Sequence, residues 1–247
     1  MDRLVYVAMS GAKQTLRAQT ANSHNLANVS TVGFRADLSA FQAQQVQGAG
    51  LPSRAYATDN SVGWDASSGT LEQTGRELDV AVQGQGWIAV QSPEGSEAYT
   101  RAGDLRVDPN GQLTTAAGYP VLSDSGPIAV PPYASISVGH DGSVSIVPLG
   151  QTPQTVAVCA RIKLVNPPSD SLTRSGSGLF QLQSGGDAEA DATVQLVPGA
   201  LESSNVNMAS AMTNMIELSR TYDMQLKSIK AAEDNDSSST KLLQTSS

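Results

Sequence analysis

The spacing of apolar residues changes twice along this chain. From Met1 to about Thr31, Val5, Ala8, Met9, Ala12 and Leu16 fall on one face of a 3.6-residue repeat, which predicts a helix. This stretch has no proline and one glycine, Gly11, and Asp2 stands where an N-cap is wanted. Beyond Leu16 the same face runs on as Thr20, Ser23 and Ala27. The stripe is therefore thin, and such a helix would be marginal alone in water.

From about Val32 to Pro198 the apolar residues come in short runs bounded by turn residues. Leu78 to Val82 precedes Gly84-Gln85-Gly86, and Trp87 to Val90 follows. Asp108-Pro109-Asn110-Gly111 has Pro and Gly where a type I turn wants them. His140-Asp141-Gly142 separates Ile136-Ser137-Val138 from Val144-Ser145-Ile146, and Val156 to Val165 reads as a longer strand. All 12 prolines lie in this middle region. Residues 36–79 have weaker periodicity and read as an extended or partly disordered connector.

From Glu202 onward helical spacing returns. Asn207 can cap a helix whose stripe is Met208, Ala211, Met212, Met215, Leu218, Tyr222, Leu226 and Ile229, a heptad-like alternation of threes and fours. Residues 234–239 (Asp-Asn-Asp-Ser-Ser-Ser) are poor helix formers. The fold class expected is mixed α and β. Amphipathic helices at the two ends pair as a coiled-coil-like module, and an all-β domain is inserted between them. The expected divisions are a helix and motif over 1–35, the connector over 36–79, a β-rich domain over 80–198 and a C-terminal helix over 199–247. A single amphipathic helix must bury its face somewhere. The two ends can cover each other, or copies and relatives of the chain can cover them.

Composition narrows the function. Only 39% of the 247 residues are hydrophobic, 4% are aromatic and 15% are charged, which is sparse for one self-contained core. A net charge of −8 provides no basic face for nucleic acid. No apolar run approaches the roughly 20 residues that span a bilayer, so no membrane insertion is expected. The opening MDRLVYVAMSGAKQ lacks the pattern of a cleavable secretory signal. One cysteine, Cys159, and two histidines leave no disulfide framework and no structural zinc set.

The candidate catalytic groups fail one by one. His24 and His140 stand in no recognisable nucleophile setting, and Gly176-Ser177-Gly178 lacks the wider G-x-S-x-G spacing. Asp104 and Asp108 could be paired carboxylates, but the turn already explains Asp108. As a calcium loop, Asp108 to Gly111 lacks the acidic closing ligand. Gly84-Gln85-Gly86 lacks the third glycine and the helix of a phosphate cradle. Asn28-Val29-Ser30 matches a glycosylation sequon by chance, and Cys159 reads as a small buried hydrophobe. Neither catalytic residues nor a cofactor are expected.

One segment is more specific. Residues 23–35, SHNLANVSTVGFR, resemble the signature of bacterial flagellar rod and hook proteins. Gly199 to Asn207, with Met215-Ile216 and Arg220-Thr221-Tyr222, is similar to that family's closing signature. Residues 74–87 and 99–105 are similar to its central block. His24 and Trp87-Ile88 depart from the usual residues. The resemblance implies a non-enzymatic axial subunit, with Asn25, Leu26, Ala27, Asn28, Thr31, Gly33 and Phe34 as an assembly motif. It implies that Val5, Ala8, Ala12 and Leu16 pack against the seam Met208, Met212, Met215, Leu218, Tyr222, Leu226 and Ile229. The partners implied are other rod subunits, copies of the chain itself and the flagellar type III export apparatus. The location implied is the rod, in the periplasmic space. The opening residues look most like a proximal rod subunit; a distal rod subunit is the alternative. From another class, a wall-binding or wall-modifying β-domain protein stays open. Physically, Asn25 and Asn28 share a helix face at its end, where their amides can bond orphaned backbone groups. Gly33 allows a conformation that other residues resist, and Phe34 can anchor the chain as it leaves the helix.

Overall fold

The computed structural model describes residues 3–45, 55–151 and 155–245. The chain divides into two units. A helical unit comprises residues 1–29, 36–65 and 206–247, and a β unit comprises 30–35 and 66–205.

The helical unit is built on α1 (Arg3–Ala27) and α2 (Met208–Thr245). They pack against each other. Asn22 Nδ2 donates to the carbonyl of Ala211 at 2.7 Å, Ser23 reaches the sulfur of Met215, and Gly11 lies beside Gln225. Sequence therefore rises along one helix as it falls along the other, and the two run antiparallel. Asn207 caps α2 as expected, its Oδ1 accepting the Ser210 N–H at 3.0 Å. The helix does not stop at 234–239. Ser238 Oγ donates back to the Asp234 carbonyl, and Ala232 just before is buried, so packing overrides weak propensity. Asp2 lies outside the described residues.

Within 36–79, expected to be an extended or partly disordered connector, the described residues form paired strands. β1 (Asp37–Gln45) and β2 (Ala55–Trp64) pair antiparallel, with a register shift between Leu38 and Ser39, and both pack on α1. Residues 46–54 of this stretch lie outside the described residues. The strands escaped notice because their alternation is blurred by Ala, Gln, Ser and Asn, and a helix covers one side.

The β unit begins with β3 (Leu71–Gln73), β4 (Val80–Gln83), β5 (Trp87–Gln91) and β6 (Glu97–Thr100). A five-stranded antiparallel sheet runs in the order Leu164–Val165, β5, β6, Phe180–Leu182, Leu172–Arg174. A three-stranded sheet holds Tyr133–Val138, Ser143–Pro148 and Ala157–Arg161. β4 pairs with Gln195–Pro198, and β3 with Ala200–Glu202. The core draws Val80, Ile88, Val144, Ile146 and Leu196 from these strands, and Leu105 and Leu113 from a further antiparallel pair, Leu105–Val107 with Leu113–Thr115. Gly84 and Gly86, with φ of 73° and 134°, make the tight link from β4 to β5. Cys159, expected to be buried, is half-buried on the rim of this core, and desolvation pushes its thiol up.

The closest approach in the β unit is at Gly103, where a Cβ would lie 1.7 Å from the carbonyl oxygen of Val80. Gly103→Ala is expected to lower stability by about 3 kcal/mol, because backbone rather than a flexible side chain must move. At Gly176, where a Cβ would meet nothing within 4 Å, alanine should change stability by under about 0.5 kcal/mol. Thermal melts of both variants check the pair.

Candidate assembly site

The signature segment is shared between the two units. Its first half closes α1. Asn25 does not bond a group at the helix end; its amide clasps the backbone of Asp37, donating from Nδ2 to the carbonyl at 2.9 Å and accepting the N–H on Oδ1 at 2.8 Å. His24 Nδ1 lies 2.7 Å from the Asp37 carboxylate. Asn28 Nδ2 donates to the His24 carbonyl at 2.9 Å, an acceptor that the Asn28 N–H also uses, so it adds a second bond to the last turn and does not satisfy an orphaned group. Leu26 is half-buried and Ala27 is exposed.

The second half belongs to the β unit. The Phe34 N–H donates to the Thr31 carbonyl, forming a turn in which Thr31 is exposed. Gly33 has φ 66°, its N–H donates to the Glu202 carbonyl at 2.7 Å, and a Cβ would lie 2.3 Å from the carbonyl carbon of Arg101. Both the left-handed backbone and the close approach require glycine here.

Next to Gly33 lies a feature that sequence reasoning missed. The Glu202 carboxylate, 1% exposed, accepts from Arg35 Nη2 on Oε1 at 2.7 Å and from Arg101 Nη1 on Oε2 at 2.9 Å. Oε1 also accepts the Gly69 N–H at 2.8 Å. Arg35 and Arg101 are buried as deeply. Two guanidinium groups and one carboxylate leave an excess positive charge inside the protein, which is costly unless something offsets it. Aromatic faces supply part of the offset. Arg101 lies over Trp87 at 5.5 Å; beside the cluster Arg174, a third and half-buried guanidinium, stands against Phe34 at 4.7 Å and Phe180 at 4.9 Å. Burial pulls the Arg101 guanidinium below the usual arginine range, and Glu202 opposes that shift. Arg101 Nη2 also donates to the Gly84 carbonyl at 2.6 Å. A signal existed, since Arg35, Arg101 and Glu202 are charged residues inside three of the signature segments of a chain poor in charge.

On the helices, the expected seam is placed only in part. Ala8 and Ala12 are buried and Val5 is half-buried, but Leu16 is exposed; the buried row continues through Thr15 and Ala18 instead. Spacing alone allows either 15 or 16 after Ala12; the packed face takes Gln14 and Thr15 and leaves Leu16 out. On α2, Met215, Leu218, Tyr222 and Ile229 are half-buried and fall in one row with Ala211, Gln225 and Ala232, at alternating steps of four and three. Met208, Met212 and Leu226 are exposed, as are Ile216 and Met224, and so are Tyr6 and Met9 on α1.

Other candidates are placed as turns. Asp108 accepts the N–H groups of Asn110 and Gln112, and those bonds hold its carboxyl below the usual range. Among the described residues no group of three or more His, Cys, Asp or Glu could hold a metal ion, and no helix is long and apolar enough to cross a membrane.

Arg35, Arg101 and Glu202, which meet at the buried ionic cluster, each lie in a segment matched by a family model of flagellar rod and hook proteins. The family model described as flagella basal body rod protein matches residues 5–35. That for the D1 domain of flagellar hook proteins FlgE/F/G matches 81–146, and that for the C-terminal part of flagellar basal body rod FlgEFG proteins matches 197–242. The chain belongs to the flagellar basal-body rod protein family. It is 43% identical to the flagellar basal-body rod protein FlgF of Escherichia coli, over 98% of this chain and 99% of the relative. It is 42% identical to that of Salmonella typhimurium with the same coverage. FlgG of Bacillus subtilis is 34% identical, over 95% of this chain and 96% of its own.

Two substitutions test the site. Asn25→Ala removes both bonds to Asp37 and should cost about 1–3 kcal/mol. Glu202→Gln leaves two buried guanidinium groups without a counter-charge and should cost about 3–5 kcal/mol. Urea unfolding followed by circular dichroism measures both. A loss below about 1 kcal/mol for Glu202→Gln would show that the cluster is solvated.

Proposed function

We propose that this chain is a structural subunit of the flagellar basal-body rod, of the FlgF type, acting without catalysis. The observation that carries this reading is identity above 40% to two FlgF proteins along almost the whole chain, including every signature segment. The lower identity to FlgG keeps a distal-rod role as the weaker alternative.

The helix surfaces support assembly. A monomer has no use for Met208, Met212, Ile216 and Leu226 in water, nor for Tyr6, Met9 and Leu16, each at least 44% exposed. In the rod, neighbouring subunits and copies of the chain cover these faces, and α1 and α2 pair as the coiled-coil-like inner layer. The subunit forms part of the shaft that carries torque from motor to hook. The subunit reaches the periplasmic space through the flagellar type III export apparatus. Residues of the seam then have two classes of role. Met215, Leu218, Tyr222 and Ile229 hold α2 within the subunit, whereas Met208, Met212, Leu226 and Leu16 face neighbours.

Met212→Asp separates these roles. The exposed site predicts a melting temperature within a few degrees of wild type, since surface changes stay within about 0.5 kcal/mol. Complementation of a strain lacking its own FlgF should nevertheless fail in soft-agar motility, and purified basal bodies should lack the variant. Met215→Asp should lower the melting temperature as well. Normal motility with Met212→Asp would overturn the assignment of that face, and failure of the wild-type chain to restore motility would overturn the subunit reading.

A further inference from the structure

Three stretches of the β unit adjoin the points where the chain passes to or from the helical unit: 30–35, 66–70 and 200–205. Any force carried along the covalent chain enters the β unit through them. Apart from Ala200, none of their apolar side chains is fully buried. Ser30, Thr31, Ala66, Ser67, Ser68 and Thr70 are all exposed, and so is Leu71 just beyond. Polar bonds hold them instead, and these bonds converge. The Glu202 carboxylate takes Arg35 from the first stretch and the Gly69 N–H from the second, while its own carbonyl takes the Gly33 N–H. Around it, the Ser203 N–H donates to the Thr70 carbonyl, the Asn205 N–H to the Phe34 carbonyl, and the Asn205 side chain to the Ser67 carbonyl. Glycine makes the closeness possible, since a Cβ on Gly69 would lie 1.9 Å from the Ser203 carbonyl oxygen. Arg101 then ties the same carboxylate to the Gly84 carbonyl, between the core strands β4 and β5.

We infer that Glu202 is the clasp of a cooperative latch, in which the three stretches open and close together as one unit distinct from the core of the β unit. The reason is physical. One carboxylate oxygen of Glu202 is shared by Arg35 and the Gly69 N–H, and the other is held by Arg101, so losing either bond to the shared oxygen removes part of what fixes it in place for the other. Breaking the contact to any one stretch therefore weakens the hold on the other two. The core strands, which rest on apolar burial, are not bound by that condition. Local opening of this kind is read by native-state hydrogen exchange.

The experiment uses the full chain and follows five amides that report on the latch: Gly33, Gly69, Thr70, Ser203 and Asn205. Ala89 and Val121, bonded to the carbonyls of Lys163 and Leu113, report on the core. In wild type the five latch amides should share one opening equilibrium, more frequent than that of the core. Arg35→Lys keeps the charge but loses the fork, and should speed exchange at Gly69, Thr70 and Ser203 roughly tenfold, although these residues are remote in sequence. Glu202→Gln should speed all five roughly 100-fold or more. Ala89 and Val121 should change far less in both. If Glu202→Gln does not fold, the milder Arg35→Lys decides alone. Acceleration confined to residues 30–35 would mean that the stretches open independently, and equal acceleration in latch and core would mean that no separate latch exists. Either result overturns the inference.

Discussion

A carboxylate with 1% exposure, held between two buried guanidinium groups, sets the terms for everything around it. Such a group is stable only if each partner is delivered to it from the right direction. That condition fixes the left-handed turn at Gly33, which brings Arg35 inward, and the absence of a side chain at Gly69, which lets a backbone N–H reach the same oxygen. It also explains why aromatic residues, few in this chain, gather at Trp87, Phe34 and Phe180. The Trp87 face meets the cluster's surplus positive charge at Arg101, and Phe34 and Phe180 stack on the neighbouring, half-buried Arg174.

The two units follow different rules of construction. The β unit closes a core of its own from Val, Ile and Leu on short strands. The helical unit closes much of its interface with Ala and Thr, and spends larger apolar side chains on the outside. Small residues let two helices approach closely but bury little area each, so the pair gains modest stability per turn. A subunit meant to be completed by neighbours is served by that arrangement. Its own pairing positions the helices and leaves Met208, Met212, Ile216, Met224 and Leu226 exposed. The low hydrophobic content and the exposed methionines thus have the same origin.

The hairpin of β1 and β2 shows where local pattern loses its meaning. Its residues alternate too weakly to announce strands, yet the backbone of Asp37, where β1 begins, is bonded by Asn25 two ways and its carboxylate by His24. Asn25 therefore acts less as a helix cap than as an adaptor that docks a strand onto a helix. The signature segment carries both functions in eleven residues, from Asn25 to Arg35: it ends α1 and seats β1 with its first half, and it supplies Gly33 and Arg35 to the β unit with its second.

Much of this was legible in the sequence, for reasons that are local. Helix spacing at both ends, the Asn207 cap and the turns at Gly84, Asp108 and His140 depend on residues within a few positions of each other. The resemblance to the rod and hook family was carried by contiguous segments. What sequence could not determine is which distant residues meet. Arg35 and Glu202 are 167 positions apart, and nothing short of the folded chain brings them within 2.7 Å. The split of the seam between a row that packs inside the subunit and a row left exposed had the same cause. A helical repeat says which side chains share a face, but only the partner's position decides which face is covered. Tertiary structure alone decided that Thr15, and not Leu16, turns inward, because a step of three and a step of four from Ala12 are equally helical and only the position of the packed partner chooses between them.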